Sequence, residues 1–282
     1  MRKLLFSLML IVGVLCARPC FAADPRLQKA TDEVGFLAFE KAYNIYKQVM
    51  IEAPAGSADW QAASFGAAVC AQQILPTTEE RIKEACDLFR QLVDKSPDSK
   101  FAPRALLNLG RLEELSGDPG HEDLDAARKN YLEVVKRWPA APIAGEATLR
   151  AAATLVQSYD KAKVESGIKM LVDWLGAHPK DDLAAVMWQY LGDTYFYPLN
   201  DYAKSLDAYE HADKLGWVEP SGEGKTYWRI AVMSERYLKN REMAIKYYTI
   251  VITRTPTSGK AYEAQLALKR LGAPVPAIQG GK

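Results

Sequence analysis

The sequence has few of the residues that usually carry catalysis or bind metals. Its 282 residues include four cysteines and three histidines, and the histidines (His121, His178 and His211) are far apart. No HExxH, CxxC, GxSxG or glycine-rich phosphate-loop motif occurs. Adjacent acids such as Glu113 and Glu114 diverge on a helix, so they are not expected to act as a catalytic dyad. We therefore expect a protein that is not an enzyme and uses no metal or cofactor.

Long apolar runs are missing everywhere except at the N-terminus. There, two basic residues precede the apolar stretch 4–15, and the small residues Ala22 and Ala23 follow it. The stretch is too short to span a bilayer as a helix, and the whole pattern is typical of a secretory signal peptide. We expect residues 1–22 to be this leader. The mature protein is then periplasmic or secreted and has no transmembrane segment.

Neither sign of charge dominates. The chain has 36 Lys and Arg residues and 35 Asp and Glu residues, which gives a formal net charge of +1. Arg2, Lys3 and Arg18 leave with the leader, so the mature chain has 33 basic and 35 acidic residues and a formal charge of −2. Such a balance gives no electrostatic footprint for nucleic acid or for an anionic lipid surface, and nucleic acid is not expected as a partner.

Cysteine is equally scarce in the mature chain. Cys16 and Cys20 belong to the leader, so Cys70 and Cys86 remain. Disulfides persist in exported proteins, and the two cysteines fall on neighbouring predicted helices, which permits a bridge between them. The alternative is that both are small buried apolar side chains. The sequence leaves both possibilities open, because helix register is not fixed well enough to test the bridge geometry.

Strands are not predicted, because no segment alternates Val, Ile or Thr with polar residues. A repeat is present instead: a small residue, a large apolar residue four later, and a proline twelve after the first. The copies are Ala42, Tyr46 and Pro54; Ala85, Phe89 and Pro97; Ala127, Tyr131 and Pro139; Gly167, Leu171 and Pro179; and Ala244, Tyr248 and Pro256. A degraded copy has Ser205 and Tyr209, with Trp217 in place of the proline. The successive small residues are 43, 42, 40, 38 and 39 positions apart.

Each copy of the repeat reads as the second helix of a helix pair. The small residue lets two helices approach closely, the large residue lies on the same face, and the proline ends the helix. The first helices that precede them are predicted at 60–73, 102–115, 145–159, 183–196 and 225–237. Residues 24–35 are expected to lead into the first helix, and residues 260–271 to form a capping helix. One pair cannot bury its own apolar face, so the pairs must stack.

Two parts of this pattern resemble known repeats. The run WQYLGDTY places Trp188, Leu191, Gly192 and Tyr195 as in the first helix of a tetratricopeptide repeat (TPR). The segments KSPDSKFAPRALLNLG, RWPAAPIAGEATLRAA and RTPTSGKAYEAQLAL are similar to repeats of periplasmic proteins such as the Tol–Pal-associated cell-division coordinator and an outer-membrane-assembly lipoprotein. The resemblance implies an all-α, right-handed superhelical solenoid of about five to six stacked TPR-like pairs over residues 23–271. Residues 272–282 are expected to be a flexible tail.

The same resemblance implies a function and a site. In such proteins the first helices line a concave surface that binds a protein or peptide, here in the cell envelope. The groove-lining candidates are Trp60, Arg104, Arg111, Arg150, Gln189, Asp193, Phe196 and Trp228. The three arginines would form a basic centre that holds carboxylates of a partner peptide. The alternative for this centre is an ordinary solvated helix face.

The C-terminal half is rich in aromatic residues, and most of them are expected in the core. Tyr195, Tyr209 and Tyr248, for example, occupy positions at which the repeat packs. The aromatic residues in excess of that need are Phe196, Trp217 and Trp228. Aromatic side chains that remain exposed favour a peptide or glycan surface. The alternative function is therefore that of a peptidoglycan- or carbohydrate-binding module of the envelope.

Overall fold

The computed structural model describes residues 24–115, 123–216 and 224–277, and this part of the chain contains thirteen α-helices and no strand. None of these helices is long and apolar enough to span a membrane. The predicted leader and His121 lie outside the described residues. The chain divides into two compact units at Thr154. The prediction of an all-α protein built from successive helix pairs is confirmed.

The first unit contains helices α1 to α6 and most of α7. They are α1 (Pro25–Gly35), α2 (Phe39–Glu52), α3 (Ala58–Ala71), α4 (Glu79–Lys95), α5 (Ala102–Leu115), α6 (Leu124–Arg137) and α7 (Ala144–Val156). The second unit contains α8 (Lys161–Ala177), α9 (Ala184–Phe196), α10 (Tyr202–Lys214), α11 (Lys225–Arg236), α12 (Arg241–Arg254) and α13 (Gly259–Arg270). In the following, the odd-numbered helices α1 to α13 are called first helices, and the even-numbered helices α2 to α12 second helices.

Capping side chains and prolines set the helix boundaries. At many N-termini a side-chain oxygen accepts a hydrogen bond from a backbone N–H of the first turn. The capping residues are Asp24, Ser57, Thr78, Asp123, Asp160, Asp201, Asn240 and Ser258. The second helices α4 and α12 end at Lys95 and Arg254, two residues before a proline. The five first helices whose bounds were predicted begin and end within three residues of the predicted positions: α3, α5, α7, α9 and α11.

The repeat residues form the core of the first unit. Tyr46, Phe89 and Tyr131 are buried, and so is the small residue four positions before each of them. Gly110 on α5 lies directly against Tyr131 on α6, since a Cβ atom added to the glycine would be 2.5 Å from Cε1 of the ring. The expected close approach of helices at small residues is thus present in this unit.

The core of the second unit follows the same rule. Leu171, Tyr209 and Tyr248 are buried, and Gly192 on α9 lies against the ring of Tyr209 on α10. A Cβ atom added to Gly192 would be 2.6 Å from Cδ1 of that ring. The degraded copy of the repeat therefore packs like the intact ones, although its proline is missing.

The N-terminal segment differs from the prediction. Residues 24–35 were expected to lead into the first helix, but most of them form helix α1, which packs against α2. Asp24 caps this helix, Pro25 occupies its first turn, and Leu27 and Ala30 are buried. The segment therefore supplies the first helix of an additional pair, because its two buried positions are spaced for one helix face.

The start of the predicted tail contacts the second unit. Ala273 and Val275 are partly buried against the core of the second unit, and Arg241 donates a hydrogen bond of 2.6 Å to the carbonyl of Leu271. Residues 272–277 thus have apolar contacts on this unit, and the flexible tail from residue 272 stays a prediction. Residues 278–282 lie outside the described part.

The two cysteines within the described residues, Cys70 and Cys86, are free thiols. Cys70 on α3 and Cys86 on α4 are buried in the first unit. Burial raises the pKa of the Cys70 thiol to about 12 and also raises that of Cys86. Of the two possibilities that the sequence left open, the structure has the second, two small buried side chains.

Candidate functional site

A three-residue arrangement connects helices of the first unit. The hydroxyl of Tyr131 on α6 donates a hydrogen bond of 2.6 Å to Oε2 of Glu114 on α5. Arg150 on α7 donates from Nη1 to the same oxygen over 3.2 Å. One carboxylate thus joins the second helix of its own pair to the next first helix. We call this arrangement a Tyr–carboxylate–Arg clasp.

The clasp occurs twice more in the second unit. Its members there are Tyr209, Asp193 and Arg229 on α10, α9 and α11, and Tyr248, Glu235 and Arg270 on α12, α11 and α13. The tyrosine oxygen lies 2.6 Å from the carboxylate in both. Burial and then the nearby carboxylate raise the pKa of Tyr209, and the same two causes raise that of Tyr248, so both hydroxyls stay protonated and donate. The clasps hold α9 beside α11, and α11 beside α13.

The predicted basic centre is not basic. Arg111 on α5 pairs with Glu146 on α7, and Arg150 pairs with both Glu146, at 2.9 Å, and Glu114. Burial acts to raise the pKa of Glu146, but the charges of Arg111 and Arg150 outweigh it and hold the pKa below its usual range. Two arginines therefore face two glutamates, and the prediction of a carboxylate-binding centre at these positions is wrong because the chain supplies its own carboxylates.

Arg104 is the predicted arginine that remains available. It lies in the first turn of α5 and is exposed. It forms no hydrogen bond or ion pair with another described residue, and Arg111 lies two turns further along the same helix. Of the three arginines, Arg104 alone thus combines exposure with a side chain unpaired within the described ranges.

Trp60 does not line a surface. Its side chain is 3% exposed and belongs to the core of the first unit, with the ammonium of Lys95 5.5 Å from the ring centroid. Ser57 caps α3 and fixes Trp60 in the first turn of the helix, where the ring points inward. The prediction that Trp60 lines the groove is therefore corrected.

The predicted residues of the second unit are half-buried. Gln189 on α9 lies one turn before Asp193, which belongs to a clasp. Phe196 makes edge-to-face contacts with the rings of Tyr197 and Tyr202. Trp228 lies 5.3 Å from the ring of Tyr248 on α12, between centroids. Trp217 lies outside the described residues. The remaining four are thus partly accessible positions on α9 and α11.

Several exposed apolar side chains were missed by sequence reasoning. Tyr197 and Tyr237 are 59% and 54% exposed at turns between a first and a second helix, and Tyr202 stacks on Tyr237 at 4.2 Å. Tyr262 and Leu266 are exposed on α13. The sequence signal is weak, because an aromatic residue just beyond a helix end looks the same whether it is buried or exposed.

The titratable side chains that could suggest chemistry have structural partners. His178 stacks on Trp174 at 3.9 Å between ring centroids, and His211 stacks on Trp188 at 4.4 Å. Glu113 accepts hydrogen bonds from Arg90 and Asn130. Within the residues that the structure describes, no three His, Cys, Asp or Glu side chains form a group that could hold a metal.

Comparison with known proteins shows which fold class this chain has, by similarity of structure and not of sequence. No protein-family model matches the chain, and no curated protein matches its sequence. The solved structure of PilF from Pseudomonas aeruginosa is similar, with a TM-score of 0.56 and 15% identity over 86% of this chain and 96% of that one. It is a TPR-type protein, so this chain has the fold of TPR-type helix-pair repeats. The finer resemblance to periplasmic members of that class stays a prediction.

Two further structures align over most of the chain. One is the Cut9–Hcn1 hetero-tetramer of the APC/C, with a TM-score of 0.48 and 17% identity over 94% of this chain and 45% of that one. The other is Acl4, an assembly chaperone of RpL4, with a TM-score of 0.49 and 14% identity over 89% of this chain and 97% of that one.

Proposed function

We propose that this protein is an exported, non-catalytic scaffold that binds protein or peptide partners in the cell envelope. The observation that carries the proposal is the series of clasps, which hold successive first helices side by side within each unit. The first helices also carry exposed side chains, such as Arg104 on α5 and Leu266 on α13. The envelope location rests on the predicted leader, residues 1–22.

A surface that is fixed before binding suits a scaffold. Each clasp satisfies a carboxylate, a hydroxyl and a guanidinium inside the protein, so these groups need no partner to stay in place. A preorganised surface loses less conformational freedom when it binds an extended segment. Specificity then comes from the exposed side chains between the clasps, as in other repeat arrays.

The first experiment is a crosslinking capture from the envelope that compares the wild type with Arg104→Glu. We expect defined proteins to be captured and at least one of them to be lost in the variant, because the charge of an accessible cation is reversed. Lys129→Glu is the matched control, since Lys129 is an exposed lysine on the second helix α6 of the same unit. Capture of no defined protein by the wild type would overturn the proposal.

A second candidate function is binding of peptidoglycan or another carbohydrate. The observation in its favour is the run of rings formed by Tyr197, Phe196, Tyr202 and Tyr237 in the second unit. Exposed rings with hydroxyl groups offer an apolar face and a hydrogen-bonding edge together. The test is co-sedimentation with purified peptidoglycan, which should be lost in a Tyr197→Ala/Tyr237→Ala variant and kept in Tyr159→Ala, an exposed tyrosine outside these ring contacts.

A further inference from the structure

Two contacts fix how α11 and α13 lie in the second unit. Near their N-termini, the ammonium of Lys260 lies 4.9 Å from the ring centroid of Trp228. Near their C-termini, Arg270 pairs with Glu235 at 2.5 Å. The two helices therefore run side by side in the same direction.

An apolar stripe lies on the outer side of this helix pair. On α11, Trp228 and Val232 are half-buried and lie one turn apart. On α13, Tyr262 and Leu266 have the same spacing and are 65% and 47% exposed. We call these four residues the α11–α13 stripe. Exposed apolar side chains that cluster on a surface often mark a binding site, so the two exposed side chains one turn apart on α13 indicate a binding surface.

The charges beside the stripe are predominantly positive. The carboxylates of Glu235 and Glu263 are already paired with Arg270 and Lys260. Arg236 and Lys269, at the C-terminal ends of the two helices, are exposed. Neither of these two cations forms an ion pair or hydrogen bond within the described part of the chain. The surface therefore combines an apolar stripe with cations that a partner can neutralise.

We propose that the α11–α13 stripe binds an amphipathic helix with an apolar face and acidic flanks, supplied by a protein partner. This inference rests on the proposed function and names the chemistry of one partner segment. A helix that presents apolar residues every three to four positions matches the one-turn spacing of the stripe. Acidic flanks match Arg236 and Lys269, whereas a second copy of this chain would place like charges against them.

The test uses two synthetic amphipathic peptides of about 18 residues, long enough to form a short helix. Both carry the same apolar face, and the polar face contains glutamate in one and lysine in the other. Binding to the purified chain is measured by fluorescence anisotropy. We expect the acidic peptide to bind at least about tenfold more tightly than the basic one.

Variants then locate the site. Tyr262→Ala/Leu266→Ala should weaken binding of the acidic peptide by about tenfold or more, because two anchors of the stripe are lost. Both side chains are exposed, so the fold should be kept, which circular dichroism checks. Val172→Ala is the control, since Val172 is 42% exposed on α8 of the same unit. It should leave binding unchanged.

Three results would overturn the inference. One is equal affinity for the two peptides, and another is binding that the double variant leaves intact. The third is a dimer in light scattering that dissociates in Leu266→Ala, which would make a second copy the occupant. In each case the scaffold proposal is tested separately by the envelope capture. That experiment asks whether the wild type captures a defined protein and whether Arg104→Glu fails to capture it.

Discussion

Gly110 and Gly192 show how a single hydrogen atom in place of a side chain sets the distance between two helices. Each lies against a tyrosine ring of the following second helix. For Gly110→Ala we expect a loss of about 1–3 kcal/mol in the free energy of unfolding, because the new methyl group would overlap the ring of Tyr131. Urea unfolding followed by circular dichroism measures it.

Gly176→Ala is the matched control for that prediction. Gly176 lies in α8, and a Cβ atom added there meets no atom within 4 Å. The substitution should leave stability unchanged or raise it by up to about 1 kcal/mol, because alanine favours a helix. Equal effects of the two substitutions would show that the contact with Tyr131 does not limit the approach of α5 and α6.

Cys70 and Cys86 give a second prediction at this scale. Because both are buried free thiols with raised pKa values, we expect neither to react with an alkylating reagent in the native protein. The thermal midpoint should be the same with and without a reducing agent. Peptide mass spectrometry after denaturation should find Cys70 and Cys86 both alkylated. A pair of peptides joined by these two residues, with no alkylation, would contradict the free state.

The sequence predicts buried residues well and surface residues poorly. Tyr131 and Tyr209 were placed in the core because their spacing to a small residue recurs along the chain. Trp60 was misplaced because the rotation of a helix about its axis depends on its neighbours, which one-dimensional spacing does not contain. Trp228, at a comparable helix position, is half-buried.

At the scale of helices, the clasps are the feature whose energy can be measured. Arg150→Ala removes a mostly buried cation from two glutamates, and we expect it to cost about 2 kcal/mol in the free energy of unfolding. Arg128→Ala is the control, because Arg128 pairs with the exposed Asp125 and should contribute at most about 0.5 kcal/mol. Similar losses in the two variants would argue against a structural role for the clasp.

The pairing of Glu146 also predicts a response to acid. Its folded-state pKa is lowered, so its contribution to stability is present above the unfolded pKa of about 4.3 and is lost as the pH falls through the folded value. Wild type should therefore lose stability between about pH 5 and pH 3 more steeply than Glu146→Gln. Denaturant unfolding across that range tests it, with Glu133→Gln on the surface of α6 as control. Parallel curves for wild type and Glu146→Gln would refute it.

Helix boundaries were predictable and the clasps were not. Caps such as Ser258 and stops such as Pro256 act within one turn, so local sequence contains them. The acid and arginine of each clasp are 35 or 36 residues apart. This separation equals about one repeat, and it becomes a contact only when first helices are stacked. The same reason explains why Arg111 and Arg150 looked unpaired.

At the scale of the whole molecule, the C-terminal segment offers a direct test. A chain truncated after Leu271 loses the partly buried Ala273 and Val275, and we expect its free energy of unfolding to fall by about 1 kcal/mol. A chain truncated after Ala277 keeps both contacts and should unfold like the full-length protein. Thermal and urea unfolding of the two truncations provide the comparison, and identical stability would mean that the segment adds nothing.

The fold class was predictable because it rests on a sequence pattern that recurs along the chain. An error in one copy, such as the missing proline near Trp217, does not change the prediction that the other copies support. The division at Thr154 was not predictable, since no change in composition or linker marks it. Export to the envelope and the partner remain predictions, because the leader lies outside the described residues and exposed side chains vary without affecting the fold.

The clasps also limit how the number of repeats in such a chain can change. Each clasp shares its groups between two neighbouring repeats. Loss of the segment that carries Arg229 would leave Asp193 and Tyr209 without their cation. We therefore expect an inserted repeat in the second unit to be tolerated only if it carries two groups. One is a carboxylate for the following repeat, and the other is an arginine that pairs with the carboxylate of the preceding repeat. The segment that can be inserted or deleted as a whole is defined by this carboxylate and arginine, and not by the helix boundaries.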